Sequence, residues 1–231
     1  MKAVLWDLDG TLVDSEPAHA LAFDASLAEL GLTVPPDFHD RLLGASEDRV
    51  HEALIAETSV SMDRAAWRSV KWRHYRKAAD QIRRLSQADL LVPLASAGLG
   101  LAVVSNSTRA EVDHNLDLAD LARLFPVTVS RDDVRHGKPD PEGYLLAARR
   151  LGVSPTDCVV VEDSPTGAGA GLSAGMTTIF CPQVPTLVPP AGALVAGPGD
   201  LSGLFERLGL LPAMPRGGML RNDKNPPPAI K

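Results

Sequence analysis

Ala3-Val4-Leu5-Trp6-Asp7-Leu8-Asp9-Gly10-Thr11-Leu12 decides the fold of this chain. A short apolar run stops at two carboxylates with one residue between them, and a glycine follows. Such a run, bounded by turn residues, predicts a buried strand. Asp7 then stands at its carboxyl end, where open α/β sheets place their ligands. Gly10 can adopt backbone angles closed to other residues, so the chain can turn there. One carboxylate is placed to attack and the second to move a proton. Two simpler readings compete. A calcium loop would place its glycine later and end on a glutamate after a preceding helix, which this stretch does not do. A strand ending in solvated acids fits the stretch taken alone, so the rest of the chain must decide.

Outward from that strand the pattern becomes helical. Ser15 can cap a helix, Pro17 fits its first turn, and Ala18, Leu21, Ala22, Ala25 and Ala28 recur at helical spacing up to Gly31. Pro35-Pro36 prevents a restart. As far as Leu85 the pattern predicts helices and no strand: a helix end or turn over 42–46, a helix over 50–55, and a longer helix from Ala65 to Ile82. The long helix is basic, with Arg64, Arg68, Lys71, Arg73, Arg76 and Lys77. These charges ring the helix and read as a solvated face.

Beyond Ala88, strands and helices alternate. Strands are expected at 101–104, 127–129, 159–161 and 177–180, with helices from about Arg109, over 142–151 and over 168–174. Pro93 sits awkwardly in an apolar stripe, because proline removes a helical hydrogen bond. The alternation calls for a doubly wound parallel sheet, an α/β core interrupted by an all-helical insertion. The expected division is a core of residues 1–14 and 87–211, a helical unit of residues 15–86, and a flexible Pro/Gly-rich tail of residues 212–231. No internal repeat is present.

The 231 residues, 45% of them hydrophobic, suffice for such a core. A net charge of −6 argues against nucleic acid or an anionic membrane as partner. No leader peptide and no membrane-spanning run is read, and two cysteines without a metal-binding spacing point to a reducing, cytoplasmic setting without disulfides. A monomer is expected.

Three strands thus end in polar residues at one sheet edge: Asp7 and Asp9, Ser105 and Asn106, Glu162 and Asp163. The His136-Gly137-Lys138-Pro139 loop reaches the same edge. Converging carboxylates repel one another unless a cation joins them, and a hard dication with oxygen ligands, magnesium (Mg2+), suits them best. Ser105 and the backbone beyond it can donate to phosphate oxygens at the start of a helix, and Lys138 supplies a point charge. Nucleophile, acid/base, metal and phosphate clamps together describe phosphoryl transfer.

These motifs resemble those of the haloacid dehalogenase-like superfamily of phosphohydrolases, in its helical-cap branch, and most nearly the β-phosphoglucomutase-like and sugar-phosphatase group. The resemblance covers roughly residues 2–205 and rests on Asp7-Leu8-Asp9-Gly10-Thr11, Ser105, Lys138-Pro139 and Glu162-Asp163 in order. It implies that Asp7 forms an aspartyl-phosphate. Asp9 would protonate the leaving group and then activate water. Magnesium would sit on Asp7, the Asp9 carbonyl and Asp163, with Glu162 as ligand or support. A mobile cap would span about Ser15 to Ser86. Asp9 favours phosphate esters, since an alkoxide leaving group needs a proton. By the same resemblance Gly10, His19, Gly44, Arg49, Lys71 and Asn106 are candidate substrate contacts. His19 stands where mutases of this group carry a histidine, but Glu47 follows Gly44-Ala45-Ser46 where they carry an arginine. A carboxylate there would repel a second phosphate. A phosphatase of small phosphorylated metabolites is therefore expected, with a phosphomutase and a non-catalytic binding protein as the alternatives.

Overall fold

The computed structural model describes residues 1–42, 47–58, 60–184 and 186–212. The elements run β1 (Ala3–Trp6), β2 (Val13–Asp14), α1 (Glu16–Leu30), α2 (Phe38–Leu42), α3 (Glu47–Glu57), α4 (Arg64–Lys77), β3 (Arg83–Arg84), α5 (Leu91–Ser96), β4 (Gly100–Val104), α6 (Arg109–Leu118), β5 (Val127–Val129), α7 (Glu142–Leu151), β6 (Cys158–Glu162), α8 (Pro165–Ser173), β7 (Thr177–Phe180), β8 (Leu194–Val195) and α9 (Leu201–Arg207).

Six strands form one parallel sheet in the order β5-β4-β1-β6-β7-β8. Every residue of β1 is buried between β4 and β6, with Ala3 opposite both Gly100 and Cys158. Alternate residues feed two apolar layers. Val4, Trp6, Leu101, Val103, Val159 and Val161 face one side; Ala3, Leu5, Ala102, Val104, Cys158 and Val160 face the other. A parallel sheet covered on both faces demands such continuous apolar strands. The chain runs outward from β1 through β4 to β5, then returns to β6 on the other side. The order therefore reverses beside β1, which is where this architecture opens a crevice. The doubly wound α/β reading holds.

Between β2 and β3 the chain builds α1 to α4 on a hydrophobic cluster of their own, Phe23, Leu27, Phe38, Leu54 and Trp67. Phe23 stacks on Phe38 at 5.6 Å and meets Trp67 edge-on. Asp63 caps α4 by accepting from the Ala66 amide. Among the α4 cations, Arg73 pairs with Glu29 of α1.

Several expectations are corrected. The stretch read as strand-free contains β3, which pairs antiparallel with β2 through Val13–Arg84 and Asp14–Arg83. Two exposed residues show no alternation to read. The helix expected to reach Ile82 ends at Lys77, and a single 3₁₀ turn over Ala79–Gln81 follows. No glycine or proline marks that break. Pro93 lies in the first turn of α5, where its missing N–H costs no helical bond. β8 and α9 were not anticipated, yet α9 covers one face of the sheet, with Phe205 edge-on to Trp6 at 5.9 Å. Gly44 and most of the tail lie outside the described residues. No helix among the described residues is long and apolar enough to cross a membrane.

Candidate active site

The Asp7 amide donates to the Val161 carbonyl, so the sheet register carries one residue past β1 and fixes where the Asp7 side chain leaves. Gly10 has φ +83°, and a Cβ there would lie 2.2 Å from Asp163 Oδ2. Glycine is thus required twice, for the turn and for the approach of Asp163. Thr11 Oγ1 reaches Asp163 Oδ1 at 3.4 Å. Ligand oxygens of Asp7, Glu162 and Asp163 all lie within 4.8 Å of one another.

Lys138 closes this cluster. Its Nζ lies 2.5 Å from Asp7 Oδ1 and 2.5 Å from Glu162 Oε1. Burial works against its charge, but Asp7 and Glu162 outweigh burial and raise its pKa. The Asp7 carboxyl is pushed well up by burial and by Glu162, against the opposing pull of Lys138. Asp163 is raised to about 7, again by burial first and Glu162 second.

Glu162 is the last residue of β6 and is fully buried. Its Oε1 also accepts from Tyr144 Oη at 2.8 Å, and its Oε2 accepts from Ser164 Oγ at 3.1 Å and the Ser164 amide at 3.3 Å. The Lys138 ammonium sits 5.2 Å from the Tyr144 ring centre, so one tyrosine supports both partners. A Cβ on Gly167 would fall 1.7 Å from Glu162 Oε1, so α8 can pass the carboxylate only with glycine there.

Asp9 occupies a cradle of donors. Oδ1 accepts from Ser15 Oγ at 2.7 Å and Asn115 Nδ2 at 2.9 Å; Oδ2 accepts from Ser107 Oγ at 2.8 Å and Ser105 Oγ at 3.2 Å. Ser15 does stand at the N-cap of α1, but its hydroxyl makes no cap bond and serves Asp9 instead. Of the backbone amides beyond Ser105, three make local bonds. The Ser107 amide donates to Ser105 Oγ, the Thr108 amide to Glu111 Oε2 and the Arg109 amide to Asp132 Oδ2.

Asn106, read as a substrate contact, spends its amide on the lysine loop. Its Oδ1 accepts from the Lys138 amide at 2.8 Å, and its Nδ2 donates to the Lys138 carbonyl at 3.2 Å. His19 stacks on Tyr75 at 4.4 Å, and its buried Nδ1 has no hydrogen-bond partner among the described residues. Burial and then the Lys71 charge lower its pKa to about 4, so it is neutral near pH 7. Arg49 pairs with Glu52 and lines a hollow with Arg41 and Glu57 that Asp7, Asp9, Lys138 and Asp163 do not line.

The structure thus brings Asp7, Asp9, Ser105, Lys138, Glu162 and Asp163 together. Sequence reasoning missed Ser107, Asn115, Tyr144, Ser164 and Gly167. Asn115 carried a signal, as a polar residue on the apolar Val112–Leu116 face of α6.

The sequence model of the haloacid dehalogenase-like hydrolases matches residues 1–175. The chain is 33% identical over 184 residues to a phosphorylated carbohydrates phosphatase of Thermotoga maritima, covering 78% of this chain and 84% of the relative. It is 32% identical over 177 residues to the fructose-1-phosphate phosphatase YqaB of Escherichia coli, covering 76% and 94%. The crystal structure of CbbY from Rhodobacter sphaeroides in complex with phosphate superposes with a TM-score of 0.80 at 25% identity, over 87% of this chain and 96% of that one. With the acidic cluster at the tip of β1 and a match over most of its length, the chain belongs to the haloacid dehalogenase-like hydrolase family.

Proposed function

We propose that the protein is a magnesium-dependent phosphatase of small phosphorylated metabolites, sugar phosphates foremost, that works through a phosphoryl group carried on Asp7. The observation that carries this reading is the Asp7 carboxylate held at 2.5 Å by Lys138, with Glu162 and Asp163 beside it. The relatives' names, phosphatases of phosphorylated carbohydrates and of fructose 1-phosphate, support the substrate class.

In this reading a carboxylate oxygen of Asp7 attacks phosphorus, and the ester oxygen departs with a proton from Asp9. Water then attacks the aspartyl-phosphate as Asp9 takes its proton, releasing phosphate and restoring the Asp7 carboxylate and the protonated Asp9. Lys138 offsets the charge gathering between Asp7 and the phosphoryl oxygens. The donor set fits magnesium: oxygen only, clustered within 4.8 Å, and with carboxyl pKa values raised by burial and then by mutual repulsion. Asp7, Asp163 and the Asp9 carbonyl would hold the ion, and Glu162, engaged on both oxygens, would support Lys138. When bound, the ion supplies positive charge to the phosphoryl oxygens. Residues 15–86 act as the cap and residues 1–14 and 87–211 as the core. A cytoplasmic setting agrees with two free, buried cysteines.

The test is a panel of phosphorylated metabolites assayed for phosphate release with magnesium and with EDTA. Turnover should need magnesium, and Asp7→Asn should abolish it with the fold intact. Retained turnover by Asp7→Asn would remove Asp7 as nucleophile. With β-glucose 1-phosphate and a bisphosphate primer, free phosphate is expected; glucose 6-phosphate would make the enzyme a mutase.

A further inference from the structure

Asp9 touches the helical insertion by two routes. Ser15, at the head of α1, donates to Oδ1 directly. The second route is longer. Asn115 of α6 is fully buried and donates through Nδ2 to the same Oδ1 at 2.9 Å. Its Oδ1 accepts from Tyr75 Oη of α4 at 3.0 Å. Tyr75 is also fully buried. It stacks on His19 of α1 at 4.4 Å and on Trp72 at 5.9 Å, and Trp72 meets His114 of α6 edge-on at 5.4 Å.

The chemistry of this chain runs in one direction. Burial, and then the nearby Asp9 charge, raise the Tyr75 pKa, so the phenol stays protonated and can donate. An amide has a donor end and an acceptor end, and only one orientation suits a phenol on one side and a carboxylate on the other. Tyr75 therefore holds the Asn115 amide with its NH₂ toward Asp9. Without the phenol the amide oxygen loses its Tyr75 donor, and the Nδ2 bond to Asp9 Oδ1 is left to fix the amide.

The geometry points to Asn115 and Tyr75 as positioning residues through which the helical insertion sets the orientation of the Asp9 carboxylate. The inference rests on the acid/base role of Asp9 proposed above. The consequence is a leaving-group signature. A sugar alkoxide needs a proton from Asp9 as it departs, whereas p-nitrophenolate leaves without one. A variant that misorients Asp9 loses the first reaction and keeps the second. A variant that merely loosens the packing of α4 on α6 slows both.

The experiment measures single-turnover phosphorylation of Asp7 with magnesium, using the sugar phosphate fastest in the panel and p-nitrophenyl phosphate. Tyr75→Phe removes one oxygen, and Asn115→Leu removes the amide. Each is expected to slow the sugar ester on the order of tenfold and to leave the nitrophenyl ester within about twofold. Tyr75→Phe should add nothing in an Asp9→Asn background. Thermal melts establish folding, and Tyr75→Phe decides the question if Asn115→Leu fails to fold. Equal losses on both esters, or none, would overturn the relay. Asp9→Asn separates the two claims. If it discriminates between the esters and the relay variants do not, only the relay falls. If it slows both esters equally, the acid role of Asp9 falls and the relay with it.

Discussion

Replacing Gly167 by alanine sets two effects of known sign against each other. On a helix, alanine gains about 0.5–1 kcal/mol over glycine through lower backbone entropy in the unfolded chain. At Gly167 the new methyl would lie 1.7 Å from Glu162 Oε1 and 2.0 Å from its Cδ, so the carboxylate must move. Overpacking of that kind costs about 1–3 kcal/mol, and a buried charged hydrogen bond lost from Lys138, Tyr144 or Ser164 costs about 1–3 kcal/mol more. The net expectation is a destabilisation of about 2–4 kcal/mol, or a Tm lower by roughly 5–15 °C for a chain of this length. Gly169 lies on the same helix with nothing among the described residues within 4 Å of its would-be Cβ, so Gly169→Ala should stabilise by about 0.5–1 kcal/mol. Paired urea melts of the two variants give the comparison. Gly167→Ala should also lose phosphatase activity, because Glu162 steadies Lys138. Two alanine variants of equal stability would refute the claim that this glycine exists to admit the Glu162 carboxylate.

Two further outcomes are expected. Raising Asp163 from 3.8 to about 7 means the metal-free folded chain binds a proton more tightly than the unfolded chain. The stability that this proton supports is complete below the lower value and lost as pH rises through the upper one. The gap between melts in magnesium and in EDTA should therefore widen by about 2–4 kcal/mol from about pH 4 to about pH 8, while the His19 titration, common to both, cancels; a gap independent of pH would contradict the cluster as the ion's site. Asn106→Ala should free the Lys138 backbone at both ends, costing about 1–2 kcal/mol in a denaturant melt and on the order of tenfold in kcat, with Asn106→Asp between it and the wild type because the acceptor for the Lys138 amide survives; an unchanged kcat would show that the loop holds Lys138 unaided.

The parallel core was legible because buried strands such as Val4–Trp6 and Val159–Val161 are continuous apolar runs punctuated by acids and glycines. Asp7, Asp9, Ser105, Lys138 and Asp163 were legible because strand ends are where such a sheet collects chemistry. The rest escaped for physical reasons. β3 and β8 are two exposed residues each, too short for any period. Tyr144 reads as a core aromatic of α7, and only coordinates show its hydroxyl on Glu162. Ser15 obeyed the rule for helix starts in position but not in bonding, since its backbone at φ −107° and ψ −6° lacks the extended geometry of a capping residue. Gly167 looked like one of several small residues in α8, and its neighbour across the turn decides its worth.

The ladder formed by Val13-Asp14 and Arg83-Arg84 has a consequence for how such enzymes diversify. The polypeptide departs from the sheet and comes back to it at adjoining points, so whatever lies between is attached like a graft on a single stem. Helices can be exchanged, lengthened or recombined there while the pairing of β1 with β4 and β6 keeps its register. New substrate preferences can accordingly be transplanted onto an unchanged catalytic floor.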